Sequence, residues 1–236
     1  MRREYHRWYS PILERDMELL EFGHAGMPMI VFPTSRGRFF DYEDRGMIAA
    51  TAWKYEQGLL HAFCVDSVDA ESWYNDAASP QHRVWRHNQY ERYILEEVLP
   101  FIRHRNSTQG LAVTGCSFGG YHAVNIALRH PDIITHCVSM GGAFDLKRLM
   151  GGYYDQEFYF HQPLDYLPNM NDGWYWERYQ SLRLVLATGE NDICLPDNLR
   201  LAEVLRQKSI PHWLDVWGNG AGHDWPWWQQ MAVKFF

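Results

Sequence analysis

Residues 115–119 read Gly115-Cys116-Ser117-Phe118-Gly119 and match the pattern G-x-S-x-G. A short apolar strand is predicted before them, at residues 111–114, and a helix after them, at residues 118–129. A tight strand-to-helix turn forces the central serine into a strained conformation, and a glycine two residues away on each side lets neighbouring backbone approach. Ser117 would then stand above a sheet at a helix N-terminus, where negative charge is favoured. The plain alternative is a glycine-rich turn that holds a buried serine.

The rest of the chain alternates short apolar runs with amphipathic stretches, a pattern typical of strands and helices around a mostly parallel sheet. We predict strands at residues 5–10, 17–22, 29–32, 59–65, 111–114, 134–140, 182–187 and 212–217, the first two antiparallel to each other. We predict helices at residues 41–57, 81–105, 118–129 and 197–207, and one more after Asp224. Asp41 or Asp44 would cap the first helix, and Pro100 would kink or end the second. Residues 144–179 have poor periodicity and are predicted to form an irregular excursion over the functional edge of the sheet.

Length and composition place the protein among globular α/β domains. Its 236 residues suit one large domain spanning residues 1–236, and 46% of them are hydrophobic. The net charge of −7 argues against a nucleic acid as the main partner. No run approaches the ~18 apolar residues that a membrane helix requires, and the N-terminal residues lack the apolar core of a signal peptide. We therefore expect a cytoplasmic protein without a membrane partner, and the aromatic content of 16% leaves room for a homodimer.

A serine nucleophile needs a base, and the base needs an orienting acid. In α/β-hydrolases these follow in the order Ser, Asp or Glu, His, each after a later strand. His223 ends a glycine-rich loop after the strand predicted at residues 212–217, so it is the candidate base. Asp192 is the first aspartate after the strand predicted at residues 182–187 and is the candidate acid. Glu190 and Asp197 compete with it, although Asp197 lies at a helix start and has the position of an N-cap.

Backbone N–H groups would stabilise the negative charge that develops on a substrate carbonyl oxygen. Phe118, directly after the serine, is the first candidate donor. The second would come from the loop at residues 33–37, where Ser35 and Arg36 are both candidates and Ser35 is slightly preferred. The guanidinium of Arg36 can also meet a substrate carboxylate, although a solvated loop arginine is the more common state.

Several other residues admit two interpretations. Cys116 precedes Ser117, but the position at the sharp turn belongs to the serine, so we assign Cys116 to packing. Trp225 and Trp176 are candidates to line an acyl or aryl pocket, and Trp225 is the stronger because it lies next to the histidine loop. Acidic residues are frequent at residues 41–44 and 66–76 without the spacing of a calcium loop, so capping or solvation explains them better than a metal site. We expect no metal and no cofactor.

Four segments together resemble the putative-esterase family of α/β-hydrolases. They are GCSFGG at residues 115–120, GENDICLPDN at 189–198, GHDWPWW at 222–228 and FPTSRGRFFDYED at 32–44. The family includes esterase D-type thioesterases, feruloyl esterases, enterochelin esterases and mycolyltransferases, and the resemblance runs from about residue 29 to the C-terminus. It implies a Ser/Asp/His hydrolase of carboxylic esters without a metal cofactor. The loop at residues 33–36 departs from the His-Gly or Asp-Gly segment of many members, which leaves the second oxyanion donor open.

We therefore predict an α/β-hydrolase fold with a central, mostly parallel, eight-stranded sheet and helices on both faces. The expected reaction is hydrolysis of a small-molecule ester through an acyl-enzyme, with Ser117 as nucleophile, His223 as base and Asp192 as orienting acid. Two alternatives stay open. One is an acyltransferase that uses the same triad, and the other is a non-catalytic binding module, whose sign would be a broken triad.

Overall fold

The computed structural model describes residues 1–236. Its strands are β1 Arg3–Ser10, β2 Arg15–Phe22, β3 Met27–Phe32, β4 Leu60–Val65, β5 Ala112–Cys116, β6 His136–Met140, β7 Arg183–Asn191 and β8 Trp213–Gly222. Its α-helices are α1 Asp41–Asp44, α2 Met47–Ala50, α3 Ala52–Glu56, α4 Pro80–Tyr93, α5 Leu99–Arg105, α6 Phe118–Arg129, α7 Gln156–Tyr159, α8 Pro163–Asn169, α9 Gly173–Tyr179, α10 Leu195–Gln207 and α11 Trp225–Phe235. A π-helical turn covers Ile94–Val98, and a 3-10 turn covers Leu146–Leu149. None of these helices has the length and apolar character that crossing a bilayer would require.

All eight strands join one sheet in the order β1-β2-β4-β3-β5-β6-β7-β8. β2 pairs antiparallel with both β1 and β4. The other five pairs, which join strands β3 to β8, are all parallel. This confirms the predicted sheet and the antiparallel pairing of the first two strands. Because strands β3 to β8 all run in one direction, their C-terminal ends share one edge of the sheet, and α/β sheets bind their ligands at that edge.

Side chains along the central strands alternate between two cores on opposite faces of the sheet. Ile30 and Phe32 belong to a cluster of 43 buried residues, while Met29 and Val31 belong to a second cluster of 19. Helices α4, α5, α6 and α10 pack into the larger cluster, and α1, α2, α3 and α11 pack into the smaller one. A period of two between two apolar environments is what a sheet covered on both sides requires. The predicted helices on both faces are therefore confirmed.

The helix predicted at residues 41–57 is divided into α1, α2 and α3. Gly46, between α1 and α2, has a left-handed conformation with φ of 73°, which favours glycine and interrupts the helix. Neither Asp41 nor Asp44 caps it, because the N-cap of α1 is Phe40. The carboxylate of Asp41 instead accepts hydrogen bonds from the N–H and the hydroxyl of Thr34, at 3.1 and 2.8 Å. Asp41 thereby fastens the loop that follows β3.

The helix predicted at residues 81–105 passes through Pro100 without ending. It changes from α4 into the π-helical turn Ile94–Val98 and then into α5, where Pro100 occupies one of the first positions. Proline is tolerated there because the π-helical turn has already shifted the hydrogen bonds, with the Leu99 N–H donating to the Ile94 carbonyl, and Pro100 has no N–H that needs an acceptor. The helix therefore does not end at Pro100 as predicted. It shows a local change of hydrogen-bond register instead.

Residues 144–179 hold more regular structure than their periodicity indicates. They contain the 3-10 turn and three helices of at most seven residues, too short for a hydrophobic period to be recognised. The chain enters beside Ser117, whose carbonyl accepts a hydrogen bond from the Ala143 N–H at 3.4 Å. It leaves at the far end of α6, where the Tyr179 hydroxyl donates to the Leu128 carbonyl at 2.6 Å. The segment therefore begins beside the sheet edge that carries Ser117 and ends at the far end of α6.

Candidate active site

The turn between β5 and α6 holds Ser117 in a strained backbone conformation. Its φ is 55° and its ψ is −120°, and such a conformation costs a non-glycine residue of order 1–3 kcal/mol. A methyl group on Gly115 would collide with the backbone of Gly119, and one on Gly119 would collide with the carbonyl oxygens of Phe32 and Pro33. Both glycines are required because strand, helix and loop come into backbone contact. This contact also brings the loop after β3 against the start of α6.

His223 links Ser117 to Asp192 through two hydrogen bonds. Its Nδ1 lies 2.7 Å from Asp192 Oδ1, and its Nε2 lies 2.8 Å from Ser117 Oγ. An ionised carboxylate can only accept, so Nδ1 carries the proton and Nε2 is left to accept from the Ser117 hydroxyl. The Asp192 side chain is fully buried, whereas that of His223 is 17% exposed. The structure thus brings together the three residues predicted as nucleophile, base and acid, and the arrangement can carry a proton away from the serine.

His223 is fixed between the end of one strand and the start of one helix. β8 ends at Gly222, and the Asp224 side chain caps α11 by accepting from the Trp225 N–H at 2.7 Å. The buried Trp228 packs edge-on against the imidazole, with ring centroids 4.8 Å apart. The ring of His223 therefore has little freedom to rotate away from Ser117.

The two acids nearest to the end of β7 make different contacts. Glu190 accepts a hydrogen bond from the Gly220 N–H at 2.6 Å and so joins the C-terminal ends of β7 and β8. Asp192 Oδ1 accepts from the Cys194 N–H at 2.7 Å in addition to facing His223. Two donors on one oxygen fix the orientation of the Asp192 carboxylate.

Asp197, the third acid of this segment, has a role that the sequence did not indicate. The N-cap of α10 is Cys194, so the prediction that Asp197 caps this helix was wrong. Asp197 lies within the first turn of α10, and its Oδ2 accepts from the N–H groups of Phe144 and Asp145, at 2.9 and 3.0 Å. It therefore ties the chain leaving β6 to α10 and makes no contact with His223.

The candidate oxyanion donors have N–H groups that the fold leaves free. Phe118 is the first residue of α6, so its N–H has no acceptor within the helix. In the loop after β3, the Thr34 N–H donates to Asp41, and the Gly37 N–H donates to the Thr34 carbonyl at 2.8 Å. No protein group accepts from the N–H of Ser35 or Arg36. The loop thus offers two candidate second donors, as the sequence did.

Tyr74 contacts both the loop after β3 and the start of α6, and the sequence gives no sign of this. Its hydroxyl lies 2.8 Å from Ser35 Oγ, its carbonyl accepts from Arg36 Nη2 at 3.2 Å, and its ring packs edge-on against Phe118 with centroids 5.0 Å apart. Tyr74 belongs to the loop between β4 and α4, which carries no motif. No local signal could therefore have revealed it.

Gly141, at the end of β6, is a second residue without a sequence signal. Its φ is 60°, and a methyl group on it would lie 2.6 Å from Asp192 Oδ2, 3.1 Å from His223 Nδ1 and 3.1 Å from Trp228 Nε1. Asp192, His223 and Trp228 therefore surround a position where only glycine leaves enough space.

Of the remaining predicted site residues, some border on the candidate active site and others do not. Cys116 is fully buried, and burial raises the pKa of its thiol well above the ordinary range, which suits packing and not nucleophilic attack. Trp225 is half-buried and packs edge-on against Trp228, so it borders on the histidine. Trp176 belongs to α9, whose neighbour Gln180 contacts Ser209 beyond the far end of α10. The structure does not bring Trp176 to the site.

Three clusters place potential metal-ligating atoms within 4.8 Å of one another: Asp192, Cys194 and His223; His87, Glu91 and His161; and Glu4, His6 and Glu21. The first is occupied by the hydrogen bonds that connect Asp192, His223 and Ser117. In the second, Glu91 accepts from Arg129 at 2.9 Å, which sets a fixed positive charge beside the carboxylate. In the third, Glu21 pairs with Arg105 at 2.9 Å. Hydrogen bonds and ion pairs within the protein thus engage all three.

Comparisons with known proteins agree with this geometry. The family model described as Putative esterase matches residues 60–234. No curated protein sequence matches the chain. Among solved structures, a ferulic acid esterase superposes with a TM-score of 0.79 at 16% identity, covering 99% of this chain and 96% of that one. An S-formylglutathione hydrolase from Agrobacterium tumefaciens gives 0.77 at 15% identity, with 98% and 92% covered. A fluorophosphonate-binding serine hydrolase from Staphylococcus aureus gives 0.65 at 17% identity, with 99% and 96% covered. At these identities the superpositions establish the α/β-hydrolase fold.

Proposed function

This chain belongs to the Putative esterase family and is a carboxylic ester hydrolase, and on that premise we propose that Ser117, His223 and Asp192 are its catalytic triad. The observation that carries the proposal is the pair of hydrogen bonds at 2.7 and 2.8 Å that centres on His223. Its substrates are small-molecule esters. The family assignment excludes the alternative of a non-catalytic binding module. The intact hydrogen-bonded triad agrees with this exclusion.

In the first half of the reaction, Ser117 Oγ attacks the ester carbonyl carbon while His223 Nε2 takes the hydroxyl proton. The imidazolium that forms is stabilised by the buried, ionised Asp192, which also holds the required tautomer. The tetrahedral intermediate collapses as His223 returns the proton to the departing alkoxide. An alcohol leaves, and the acyl group stays on Ser117.

The second half regenerates the enzyme with the same groups. A water molecule gives a proton to His223 Nε2, and its oxygen attacks the acyl carbon. Collapse of this second intermediate releases a carboxylic acid and returns the proton to Ser117. The strained turn supports both halves, because it presents Oγ at the sheet edge next to the free N–H groups of α6.

Negative charge on the carbonyl oxygen develops in both halves. We propose that the Phe118 N–H stabilises it together with the N–H of Ser35 or Arg36, with Ser35 preferred. The free state of these N–H groups and the contact of Gly119 with Phe32 and Pro33 support the proposal, because they bring the donors of loop and helix to one place. Removing one such donor typically costs 10²–10³-fold in turnover.

Replacement of Ser117 tests the proposal. Ser117→Ala should reduce hydrolysis of 4-nitrophenyl esters by on the order of 10⁶ and abolish labelling by a fluorophosphonate probe, with the circular dichroism spectrum unchanged. Cys116→Ala is the matched control, since it alters the adjacent residue. It should retain both ester hydrolysis and labelling by the probe. An active Ser117→Ala together with an inactive Cys116→Ala would refute the assignment of the nucleophile.

Homodimer formation and a cytoplasmic location are further proposals. Both edge strands of the sheet expose large aromatic side chains, among them Tyr9 at 61% on β1 and Trp213 at 49% on β8. Such surface supports pairing of two copies along a strand edge. Sedimentation equilibrium across a range of concentrations tests the dimer, and cell fractionation tests the location.

A further inference from the structure

A cavity of about 380 Å³ opens at the C-terminal end of α6, the helix whose other end follows Ser117. This volume lies in the range of small-molecule sites. One wall is the end of the helix, residues 128–130. The 12 residues of α6, at a rise of about 1.5 Å each, place the cavity roughly 16 Å from Ser117. None of the three proposed triad residues lines it, so it is separate from the candidate active site.

The opposite wall of the cavity comes from residues 144–179, a segment rich in aromatic side chains that carries no catalytic motif. Phe160 follows α7, Tyr166 belongs to α8 and Tyr175 belongs to α9, and all three residues line the cavity. Met170, at the end of α8, completes this wall. Three short helices therefore meet the end of α6 around one largely apolar cavity, which suits the body of an organic ligand.

The positive charge of Arg129, which lines the cavity, is already balanced within the protein. Its Nε and Nη2 each lie 2.9 Å from an oxygen of the Glu91 carboxylate, and its Nη1 donates to the Phe160 carbonyl at 2.8 Å. The Nε2 atom of His130 lies 3.0 Å from the same carboxylate. Because every guanidinium nitrogen donates to an acceptor of the protein, Arg129 retains little attraction for an anion.

Glu157 brings an unbalanced negative charge to the cavity. It is the only acidic residue of the lining, it is exposed, and its Oε2 accepts from the neutral amide of Asn88 at 2.8 Å. No lysine, arginine or histidine nitrogen lies within 4.0 Å of its carboxylate. The carbonyl end of α6 adds partial negative charge, and the faces of aromatic rings attract cations. The carboxylate, the helix end and the rings therefore all favour a positively charged ligand.

We propose that this cavity is a binding site for an organic cation, an ammonium group on an aromatic or aliphatic body. The ammonium pairs with Glu157 near the carbonyl end of α6, and the body packs against Phe160 and Tyr175. The site goes beyond the proposed function, because ester hydrolysis at Ser117 requires none of its residues. Glu157 is exposed, so its attraction is screened by solvent. We expect an ammonium compound to bind about three- to tenfold more tightly than a neutral compound of similar shape.

The experiment compares three probes that share a phenyl ring and differ in charge. They are 2-phenylethylammonium, which is positive, 2-phenylethanol, which is neutral, and phenylacetate, which is negative. The dissociation constant of each probe is measured by NMR titration of the full chain at neutral pH. The readout is the dissociation constant of 2-phenylethanol divided by that of 2-phenylethylammonium, because this ratio separates the charge from the ring.

Five variants locate the probe and separate charge from structure. Glu157→Gln removes the charge and keeps a hydrogen-bonding side chain of the same length, whereas Glu157→Asp keeps the charge. Glu177→Gln is the matched control, because Glu177 is also an exposed acid of residues 144–179 but does not line the cavity. Tyr175→Leu removes one ring from the cavity, and Trp225→Leu removes a ring that borders on His223. Circular dichroism of each variant separates a loss of binding from a loss of fold.

The ratio should exceed one in the wild type, fall as ionic strength rises, and approach one in Glu157→Gln. It should be retained in Glu157→Asp and Glu177→Gln, and phenylacetate should bind most weakly of the three probes. Tyr175→Leu should weaken the binding of 2-phenylethylammonium, and Trp225→Leu should not.

Three results overturn the cation site: no saturable binding of 2-phenylethylammonium, a wild-type ratio of one or below, or a preference that survives in Glu157→Gln. Binding that Trp225→Leu abolishes and Tyr175→Leu leaves unchanged also overturns it, because the probe then lies at the candidate active site. The titration requires no turnover, so its failure does not bear on the proposed function, and a failure of ester hydrolysis does not bear on the cation site.

Discussion

A methyl group placed on Gly141 would lie 2.6 Å from Asp192 Oδ2, although the two residues follow different strands. The end of β6 is therefore part of the wall that holds the candidate acid in place. The same methyl group would lie 3.1 Å from His223 Nδ1, so any side chain at residue 141 must displace both Asp192 and His223.

Gly141→Ala should lower turnover by about 10²-fold, because a shift of the candidate acid and base by about 1 Å is enough to disturb proton transfer. Gly151→Ala is a matched control. Gly151 has nearly the same φ, 57°, but no atom lies within 4 Å of its added methyl group, so the two variants share the backbone strain and differ in the collision. The assay is hydrolysis of a soluble 4-nitrophenyl ester. Equal losses in the two variants would contradict a role of Gly141 in positioning the acid.

Asp192→Asn should lower turnover by roughly 10⁴ with little change in fold, because an amide can donate to His223 and reverse its tautomer. Asp197→Asn should keep most of the activity but lower the free energy of unfolding by about 1–3 kcal/mol. The reason is the loss of charge from a carboxylate that accepts two backbone N–H groups. Steady-state kinetics and urea unfolding of both variants measure these effects. An inactive Asp197→Asn beside an active Asp192→Asn would move the acid assignment five residues along the chain.

Stability should decrease as pH falls below the usual range of histidine. Burial holds the pKa of His87 and of His161 well below the ordinary value, so both stay neutral in the folded protein. The unfolded chain binds protons near pH 6.5, so their contribution is complete above that pH and is lost below it. The expected slope is about 1.4 kcal/mol per pH unit for each histidine. Urea unfolding, followed by tryptophan fluorescence from pH 8 to pH 5, measures it.

His87→Phe separates this effect from general acid sensitivity. Both ring nitrogens of His87 are buried without a hydrogen-bond partner, and its ring packs against Trp73 at 4.7 Å between centroids. Phenylalanine should therefore be tolerated at pH 8 and should reduce the slope, whereas replacement of the exposed His104 by Gln should not. An unchanged slope in His87→Phe would show that other groups cause the loss of stability.

Chelation should leave ester hydrolysis unchanged, because the ligand-type atoms of Asp192 and His223 are already engaged with each other. The measurement is turnover after prolonged dialysis against EDTA, with and without added zinc. Inhibition by EDTA that zinc reverses would assign a metal to one of the three clusters.

The parts of the molecule that the sequence predicted are those with a local signal. Apolar runs bounded by turns revealed the strands, and the order of Ser117, Asp192 and His223 anticipated residues that the fold brings within hydrogen-bonding distance. Asp197 was misassigned because a carboxylate in a first helical turn looks the same whether it caps that helix or binds a distant N–H group. Tyr74 and Gly141 could not be found, since their contacts come from other segments and leave no periodic or motif signal.

The contacts of Tyr74 have a consequence for motion. One ring touches the start of α6, while its hydroxyl and carbonyl hold the loop after β3, so two segments distant in the chain are coupled at a single side chain. Thermal displacement of either segment is then transmitted to the other, and the spacing between the N–H of Phe118 and those of Ser35 and Arg36 changes less than the position of either. Tyr74 can therefore keep the candidate oxyanion donors of the helix and the loop aligned with each other.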